Sequence, residues 1–423
     1  MFSASVTRTA RRLLTARFWR SIAQGTLVVD LALYLNALHW SGTAIGAVFG
    51  VGGIAGASFG ILIGLVSDRF GRKPFLLGYE GVCCACGLVA FLTSHAALLA
   101  TAIVLGGFGR GANGAAGPVS PAEDAWLAET LDPLARGFVF SVKSALGFSG
   151  MALGALAAML PALWAARLGP VESYRPIFLV VILGNAANIY ILARTPERRQ
   201  AQPRPSKPGP TQSGQTTRSH ENQFLARLVA LNAFNGLAVG LTTPLISYWF
   251  AQRFHIGPVL IAPVMAGSYL GVAAAALFSG GLTRRAGLVK VVLWGRSCGL
   301  ALLLLFPLMP AYALAALVYG LRSALNLGTI GARQALVVSA VHDKRRGLAS
   351  SLNTFSGRIP QSLGSALAGG LIGAGYFASP FYLAAIFQGA YLCLFGWLFR
   401  PVEHRLKDAP RLVPESNANG LNT

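Results

Sequence analysis

Long apolar runs separated by short polar segments constrain the fold of this chain more than any other feature of its sequence. Residues 43–66 and 74–94 are two examples, and each is long enough to cross the roughly 30 Å hydrocarbon core of a membrane as an α-helix. Only 12% of the 423 residues are charged, whereas soluble domains average about 25%. The pattern predicts an all-α polytopic membrane protein and argues against a large soluble core.

Counting these runs predicts twelve transmembrane helices in two groups of six. The first six spans are expected at 20–40, 43–66, 74–94, 97–122, 137–165 and 176–194. The second six are expected at 223–250, 257–282, 288–307, 311–338, 347–373 and 379–399. Residues 195–222 combine prolines with polar residues, which is typical of a flexible linker. The predicted domains are a basic N-terminus (1–19), a first bundle (20–194), the linker (195–222), a second bundle (223–400) and a disordered tail (401–423).

The formal net charge of +21 is concentrated in clusters of Lys and Arg between the apolar runs. The clusters fall on one side of the predicted membrane, at 8–17, 69–73, the linker, 284–290, 344–346 and 405–411. The opposite side receives only Arg167, Arg175 and Arg253. The positive-inside rule therefore predicts a protein of the inner membrane with the linker and both termini in the cytoplasm. Because the charge follows the membrane boundary, the lipid bilayer and not nucleic acid is the expected partner.

The sequence shows no pattern of catalytic or metal-binding residues. The five cysteines lie inside apolar runs, where they are typical of buried apolar side chains. The six histidines are scattered, and none lies in the middle of a span beside a nucleophile. We therefore expect no enzymatic activity, no cofactor and no metal site.

The two predicted bundles repeat a short segment after their second span. Gly64–Gly71 (GLVSDRFG) aligns with Gly280–Gly287 (GGLTRRAG), 216 residues later. A second offset, of 210 residues, pairs three further glycines: Gly137 with Gly347, Gly147 with Gly357 and Gly154 with Gly364. Two parallel repeats of six helices are the signature of one transporter architecture, in which the binding site forms between the halves.

The segment GLVSDRFGRK, Gly64 to Lys73, resembles the loop motif G-x-x-x-D-R-x-G-R-K/R of the major facilitator superfamily at every defined position. In the fourth span, Arg110 and Asn113 resemble the R-x-x-Q-G motif, with Asn replacing Gln. Over nearly its whole length the chain resembles this superfamily, and within it the drug:proton antiporter branch. It departs from proton-driven exporters in span five, which lacks their Gly-Pro. The resemblance implies a monomer with two pseudo-symmetric six-helix bundles.

By this resemblance, the loop between spans two and three is a latch on the cytoplasmic side. Its expected members are Gly64, Asp68, Arg69, Gly71, Arg72 and Lys73. Asp68 would dock on the start of span eleven, which suits a carboxylate at a helix N-terminus. Farther along the chain, Glu123 and Arg333 align at the offset of 210 and are expected to pair as part of an inner gate.

Asp30 is the only acidic residue near the middle of the predicted membrane, about 15 Å along span one. It shares a helix face with Thr26 and Tyr34. Because a carboxylate there costs at least ~2.5–3.5 kcal/mol, we expect Asp30 to carry a coupling proton. The resemblance to drug:proton antiporters implies that Arg110 takes part in proton coupling, by responding to the charge of Asp30. The alternative is that Asp30 is a structural partner of Arg110.

Polar side chains at helical spacing predict a substrate cavity, with contacts between helices as the alternative. The expected lining consists of Tyr34, Asn113, Asn235, Arg322, Asn326, Arg358 and Gln361. Depth along the helix places Glu80 and Lys143 at the cytoplasmic rim, and no partner is assigned to Arg296. Because Arg binds carboxylate and phosphate groups, this lining favours an anionic solute.

These features predict a secondary transporter that exports a drug-like or metabolic small molecule by alternating access, coupled to protons. Proton-coupled uptake of an organic anion is the alternative, favoured by the arginines and by the missing Gly-Pro. A remoter alternative is a membrane scaffold or sensor that does not transport.

Overall fold

A computed structural model of the chain describes residues 7–109, 111, 117–131, 136–197, 213–339 and 355–408. Within these ranges every regular element is a helix, as the apolar runs predict. Within these ranges the structure does not describe the side chains of residues 64–65, 68–69, 136–138, 213–221, 279–281, 284–285, 335, 338–339 and 400–408. Arg110, Asn113 and the start of span eleven, 347–354, lie outside it.

The described residues of the first half form eight α-helices and a short 3₁₀ turn at Glu172–Tyr174. They are α1 (Arg8–Ala37), α2 (Gly42–Phe70), α3 (Lys73–Leu92), α4 (Ala96–Gly106), α5 (Ser120–Glu129), α6 (Arg136–Ala157), α7 (Pro161–Leu168) and α8 (Ile177–Ala193). Side-chain oxygens cap the first two helices, because Thr7 accepts from the Ala10 N–H at 3.1 Å and Ser41 from the Ala44 N–H at 3.2 Å.

The second half contains eight more α-helices in the part of the chain that is described. They are α9 (Ser213–Thr242), α10 (Ile246–Phe254), α11 (Pro258–Ala286), α12 (Leu288–Leu305), α13 (Tyr312–Leu327), α14 (Ile330–Ser339), α15 (Arg358–Gly373) and α16 (Ser379–Asp408). Nine of the described helical segments are long and apolar enough to cross a membrane. The all-helical, two-part architecture agrees with the predicted bundle of twelve spans.

Several predicted spans are two helices in the structure. The fourth ends at Gly106 and turns through Gly107, whose φ of 69° lies in the left-handed region that glycine tolerates. The seventh is divided between α9 and α10 beside Pro244, and the tenth between α13 and α14 at Gly328 and Thr329. At these interruptions some backbone N–H and C=O groups lack helical hydrogen bonds inside the bundle. Membrane proteins tolerate such groups where other parts of the protein or a cavity surround them.

The bundle has two ends, which we name by the chain segments that reach them. The near face carries Arg8 and Gly71, and the far face carries the turn at 38–41. Toward the far face, one apolar core includes residues of both halves, such as Leu33 of α1 and Phe250 of α10. Toward the near face, each half has its own cluster, around Trp126 in the first half and Phe395 in the second. In the described residues the halves are thus joined mainly at the far face.

Contacts between the halves at the far face involve both backbone and side chains. Gly42 of α2 lies so close to α15 that a Cβ on it would be 2.5 Å from the Gly369 carbonyl oxygen. Gln252 donates to Asn36 at 3.2 Å, which ties α10 to α1. The glycine stripes of α2 and α15 therefore permit the two halves to touch backbone to backbone.

Candidate functional site

A buried cluster of charges lies inside the first half, toward the near face. The Arg20 guanidinium of α1 donates from Nε to Glu80 of α3 at 2.6 Å and from Nη1 to Glu123 of α5. Lys143 of α6 contacts Glu123 at 2.7 Å and Asp124 at 2.6 Å. Four of the five side chains are almost fully buried, and Asp124 is partly exposed. The cluster joins four helices, and each of its two cations contacts two of its three acids.

The cluster differs from the sequence prediction in two respects. Glu80 and Lys143 are buried and ion-paired, so their placement at the rim is wrong. Helix rise gives the depth of a residue but not which neighbouring helix covers it. Arg20, which completes the cluster, was not identified as a site residue, although it is an arginine at the first position of a predicted span.

Asp30 is fully buried in the first half, and neither carboxylate oxygen has a hydrogen-bond partner among the described residues. It lies within electrostatic reach of Tyr174. Tyr34, one turn later on the same face, packs against Phe178 of α8 with ring centroids 5.7 Å apart. The opposite side of α1 meets the other half, where Ser247 donates to the Val28 carbonyl oxygen at 3.2 Å. Asp30 and Tyr34 therefore face Tyr174 and α8 within the first half and not the junction between the halves.

The second half holds a buried network that contains arginines without acids. Arg296 of α12 donates to Asn235 of α9 at 2.6 Å and lies 4.7 Å from the ring centroid of Tyr391 in α16. Arg333 of α14 donates to Asn232 of α9 and also faces Tyr391, at 5.8 Å. The guanidinium groups of Arg296 and Arg333 thus donate to amide oxygens and make cation–π contacts with the Tyr391 ring.

Arg322 of α13 extends this network toward the middle of the bundle. It donates to Thr242, the last residue of α9, at 3.3 Å. One turn further along α13, Asn326 accepts from Gln388 of α16 at 3.3 Å, and Gln388 also donates to the Arg296 carbonyl oxygen at 3.2 Å. The structure therefore links the predicted residues Asn235 and Asn326 in one network, through Arg296 and Gln388, and places Arg322 one turn from Asn326 with Thr242 as its hydrogen-bond partner. Arg296, Gln388 and Tyr391 belong to it as well and were not predicted.

The second half has almost no acidic residues. Between Glu221 and Glu403 the sequence contains one, Asp343, which lies outside the described residues. Neither Arg296 nor Arg322 forms an ion pair within the ranges that the structure describes, and the Nε of each is buried without an acceptor there. The two halves therefore differ in charge, because acids offset the buried cations of the first half but not Arg296 and Arg322.

Matching helix contacts show which positions of the two halves correspond. A Cβ at Gly154 would overlap the Ile22 backbone, and a Cβ at Gly364 would overlap the Leu237 backbone. Ile22 and Leu237 are 215 residues apart, so α1 and α9 correspond at that offset. The corresponding pairs are Arg17 with Asn232, Arg20 with Asn235, Glu80 with Arg296 and Glu123 with Arg333. The contact between Glu80 and Arg20 recurs as the contact between Arg296 and Asn235, with the acid replaced by an arginine and the arginine by an amide. Glu123 binds Arg20, whereas Arg333 binds Asn232, the counterpart of Arg17.

Other predicted site residues lie elsewhere. Glu123 binds Arg20 and Lys143, whereas Arg333 binds Asn232, so the structure does not bring Glu123 and Arg333 together. Arg358 is half-buried at the first position of α15, 5.5 Å from the Phe355 ring centroid. The Gln361 backbone packs against Gly240 of α9. Arg110 and Asn113 lie outside the description, so their predicted roles stay predictions.

The loop that contains the first motif is attached to the end of α8. Gly71 ends α2 with a φ of 94°, and Arg72 contacts Glu129 of α5 at 2.6 Å. Glu197 accepts from the backbone N–H groups of Arg72 at 2.6 Å and Lys73 at 3.3 Å. The Lys73 ammonium donates to the carbonyl oxygens of Ala193 and Thr195 at 2.7 and 3.0 Å. The side chains of Asp68 and Arg69 are not described, so the docking of Asp68 stays a prediction.

In the described part of the chain no group of three or more His, Cys, Asp or Glu residues could hold a metal ion. The cysteines found there are unpaired.

Solved structures with the same fold include several membrane transporters. A mutant of the nucleoside transporter NupG superposes with a TM-score of 0.73 at 14% identity, covering 93% of this chain and 100% of its own. A D-xylose–proton symporter gives 0.68 at 13%, covering 92% and 97%. The human organic anion transporter MFSD10 gives 0.60 at 18%, covering 92% and 99%. At these identities the likeness shows the fold alone, and no curated protein is similar enough in sequence to count as a relative.

The sequence model of the Major Facilitator Superfamily matches residues 13–233 and 228–419. Each match covers one half of the molecule, as the internal repeat and the two groups of helices predict. The chain therefore belongs to the Major Facilitator Superfamily of membrane transporters.

Proposed function

We propose that this transporter moves a small organic solute with an anionic group, by alternating access and with proton coupling, and that Arg322 binds the anionic group. The observation that carries this proposal is the pair of buried arginines, Arg296 and Arg322, that lack an acidic partner in the described residues. A buried cation without a counter-ion is costly, and a carboxylate or phosphate on the solute would offset that cost.

The position of Arg322 supports a role in binding. Its hydrogen-bond partner Thr242 ends α9, where span seven is interrupted before α10 begins. Interrupted helices near the middle of the membrane are where transporters of this architecture bind substrates and ions. The Nε of the Arg322 guanidinium has no acceptor in the described residues. Its N–H group is therefore available for a bidentate contact with a carboxylate or phosphate on the solute.

Asp30 is our candidate for the coupling proton. Its carboxyl is fully buried and has no hydrogen-bond partner in the described part of the chain. A proton on Asp30 removes the cost of an unpaired charge at this depth. Because Asp30 faces α8, protonation would act on the packing of α1 within the first half and not by direct contact with the solute.

We propose export as the direction, on the resemblance of the chain to the drug:proton antiporter branch. Proton-coupled uptake of an organic anion is the second candidate, favoured by the acid-free network of Arg296 and Arg322. The solved neighbours include an organic anion transporter and a sugar–proton symporter. Proteins with this fold therefore transport organic anions as well as sugars.

The solute class is tested with purified protein in proteoliposomes and a panel of labelled carboxylates, phosphates, neutral sugars and lipophilic cations. We expect the protein to transport an anion. Arg322→Gln should lower the apparent affinity for that anion by at least about tenfold. Arg322→Lys should recover part of the affinity, because lysine keeps the positive charge but lacks the planar guanidinium donors. Arg253→Gln, near the far face, is the matched control. Transport of cations alone, or full anion transport by Arg322→Gln, would contradict the proposal.

Direction and coupling are tested with imposed pH gradients. An antiporter moves the solute opposite to the proton, whereas a symporter moves it alongside. Asp30→Asn should abolish the response to the gradient while solute exchange without a gradient continues. Full gradient-driven transport by Asp30→Asn would exclude Asp30 as the proton carrier.

A further inference from the structure

A basic groove lies between the first turns of α1 and the last turn of α8, at the near face of the first half. Its cavity of about 470 Å³ is lined by Arg8, Arg11, Arg12, Thr15, Tyr190 and Arg194, among others. None of its four arginines forms an ion pair in the part of the chain that the structure describes. The nearby acid Glu197 accepts instead from the backbone of Arg72 and Lys73.

Local contacts hold two of these arginines in place. Arg12 donates to the Arg194 carbonyl oxygen, which ties α1 to the end of α8. The Arg194 guanidinium lies over the Tyr190 ring, 4.2 Å from its centroid. Arg8 and Arg11 are exposed. The groove therefore combines two arginines that local contacts hold with two exposed arginines, an arrangement suited to a phosphate group.

The surface that continues from this groove toward the far face is apolar and exposed. Trp19 of α1 is 43% exposed and Leu183 of α8 is 68% exposed. Both lie seven residues, about 10 Å, from groove residues of the same helix, Arg12 and Tyr190. The two helices are in contact there, since a Cβ on Gly184 would be 3.2 Å from the Trp19 carbonyl oxygen. An exposed tyrosine between arginines and an apolar surface is typical of the membrane interface.

We propose that this groove binds an anionic phospholipid, with its phosphodiester among the arginines and its acyl chains along Trp19 and Leu183. Basic pockets between membrane helices bind acidic lipid headgroups in this way. A soluble phosphate ester could use the arginines but not the apolar surface, so the apolar surface favours a lipid. This site is separate from the Arg322 network and does not depend on the proposed transport function.

The full-length protein, purified in a neutral detergent and stripped of lipid, is titrated with phosphatidylglycerol, phosphatidylcholine or glycerol phosphate. Bound lipid is counted by native mass spectrometry, and the melting temperature is followed in parallel. We expect phosphatidylglycerol to be retained and to raise the melting temperature, whereas the other two compounds do neither.

The test variant is Arg8→Gln/Arg11→Gln/Arg12→Gln, which should lose at least about tenfold in phosphatidylglycerol retention. The corresponding triple Lys variant should recover most of it. Arg167→Gln/Arg253→Gln/Lys290→Gln removes three cations elsewhere and should retain wild-type binding. Equal retention by the test variant and the wild type would overturn the proposal. So would an equal effect of glycerol phosphate, because the site would then recognise a soluble anion.

Discussion

Glu80 and Arg296 occupy corresponding positions in the two halves and carry opposite charges. Glu80 accepts from Arg20 at 2.6 Å, and Arg296 donates to Asn235, the counterpart of Arg20, at 2.6 Å. The same connection between helices is thus an ion pair in one half and a cation–amide hydrogen bond in the other. One scaffold therefore supports a half whose buried cations are paired with acids and a half with buried arginines available for an anion.

Removing these two side chains should have unequal effects on stability. Glu80→Gln leaves Arg20 with a single carboxylate neighbour in the buried cluster, and breaking a buried pair typically costs about 3–5 kcal/mol. Arg296→Gln removes a cation that has no acidic partner among the described residues and leaves only the Asn235 amide, a loss of about 1–3 kcal/mol. Melting temperatures in one detergent compare the two variants. Glu172→Gln, in a partly exposed pair with Arg175, is the control and should cost about 0–1 kcal/mol. An Arg296→Gln defect as large as that of Glu80→Gln would contradict this reading.

Asp30→Asn should leave the stability unchanged or slightly higher. The Asp30 carboxyl has no hydrogen-bond partner in the described residues, and the amide has nearly the same shape without the charge. The melting temperature of the variant checks this expectation, with Asp30→Leu as a second variant that also removes the polar atoms. A large drop for Asp30→Asn, with none for a control such as Glu172→Gln, would mean that a charged Asp30 holds a structural partner.

The sequence was sufficient to predict the helical class, the two halves and most spans, because apolar runs and the repeat are local or periodic features. It could not predict partners. The offset of 210 aligns Glu123 with Arg333 and predicts that they pair, but each of them packs against residues of its own half. The sequence assigns Arg296 no partner, since nothing in it indicates that Asn235 lies beside Arg296. Such pairings depend on which helix faces which, and only the assembled bundle determines that.

The attachment of the loop at 71–73 should depend on Glu197. Its carboxylate accepts from the backbone N–H groups of Arg72 and Lys73 at the start of α3. Glu197→Ala should therefore speed hydrogen exchange at these two amides by about ten- to a hundredfold, the effect of losing about 1.4–2.8 kcal/mol of local stability. Exchange within α6 should stay unchanged and serves as the internal control. Unchanged exchange at 72 and 73 would show that Lys73, through Ala193 and Thr195, holds the loop without Glu197.

Gly46 should control whether the far face can close. A Cβ on it would be 2.8 Å from the Ser365 carbonyl oxygen and 2.9 Å from the Gly369 Cα, so Gly46→Val is incompatible with the observed approach of α2 to α15. Because the shared apolar core lies toward this face, we expect the variant to shift the population toward a state with the far face open. Spin labels at Ala97→Cys and Tyr376→Cys, with Cys298 and Cys393 replaced by Ser, measure the distance between the halves at this face. Gly267→Val, where a Cβ meets nothing within 4 Å, is the matched control and should reproduce the wild-type distance. If Gly46→Val remains folded by its melting temperature and also keeps the wild-type distance, the close approach of α2 and α15 is not what holds the halves together.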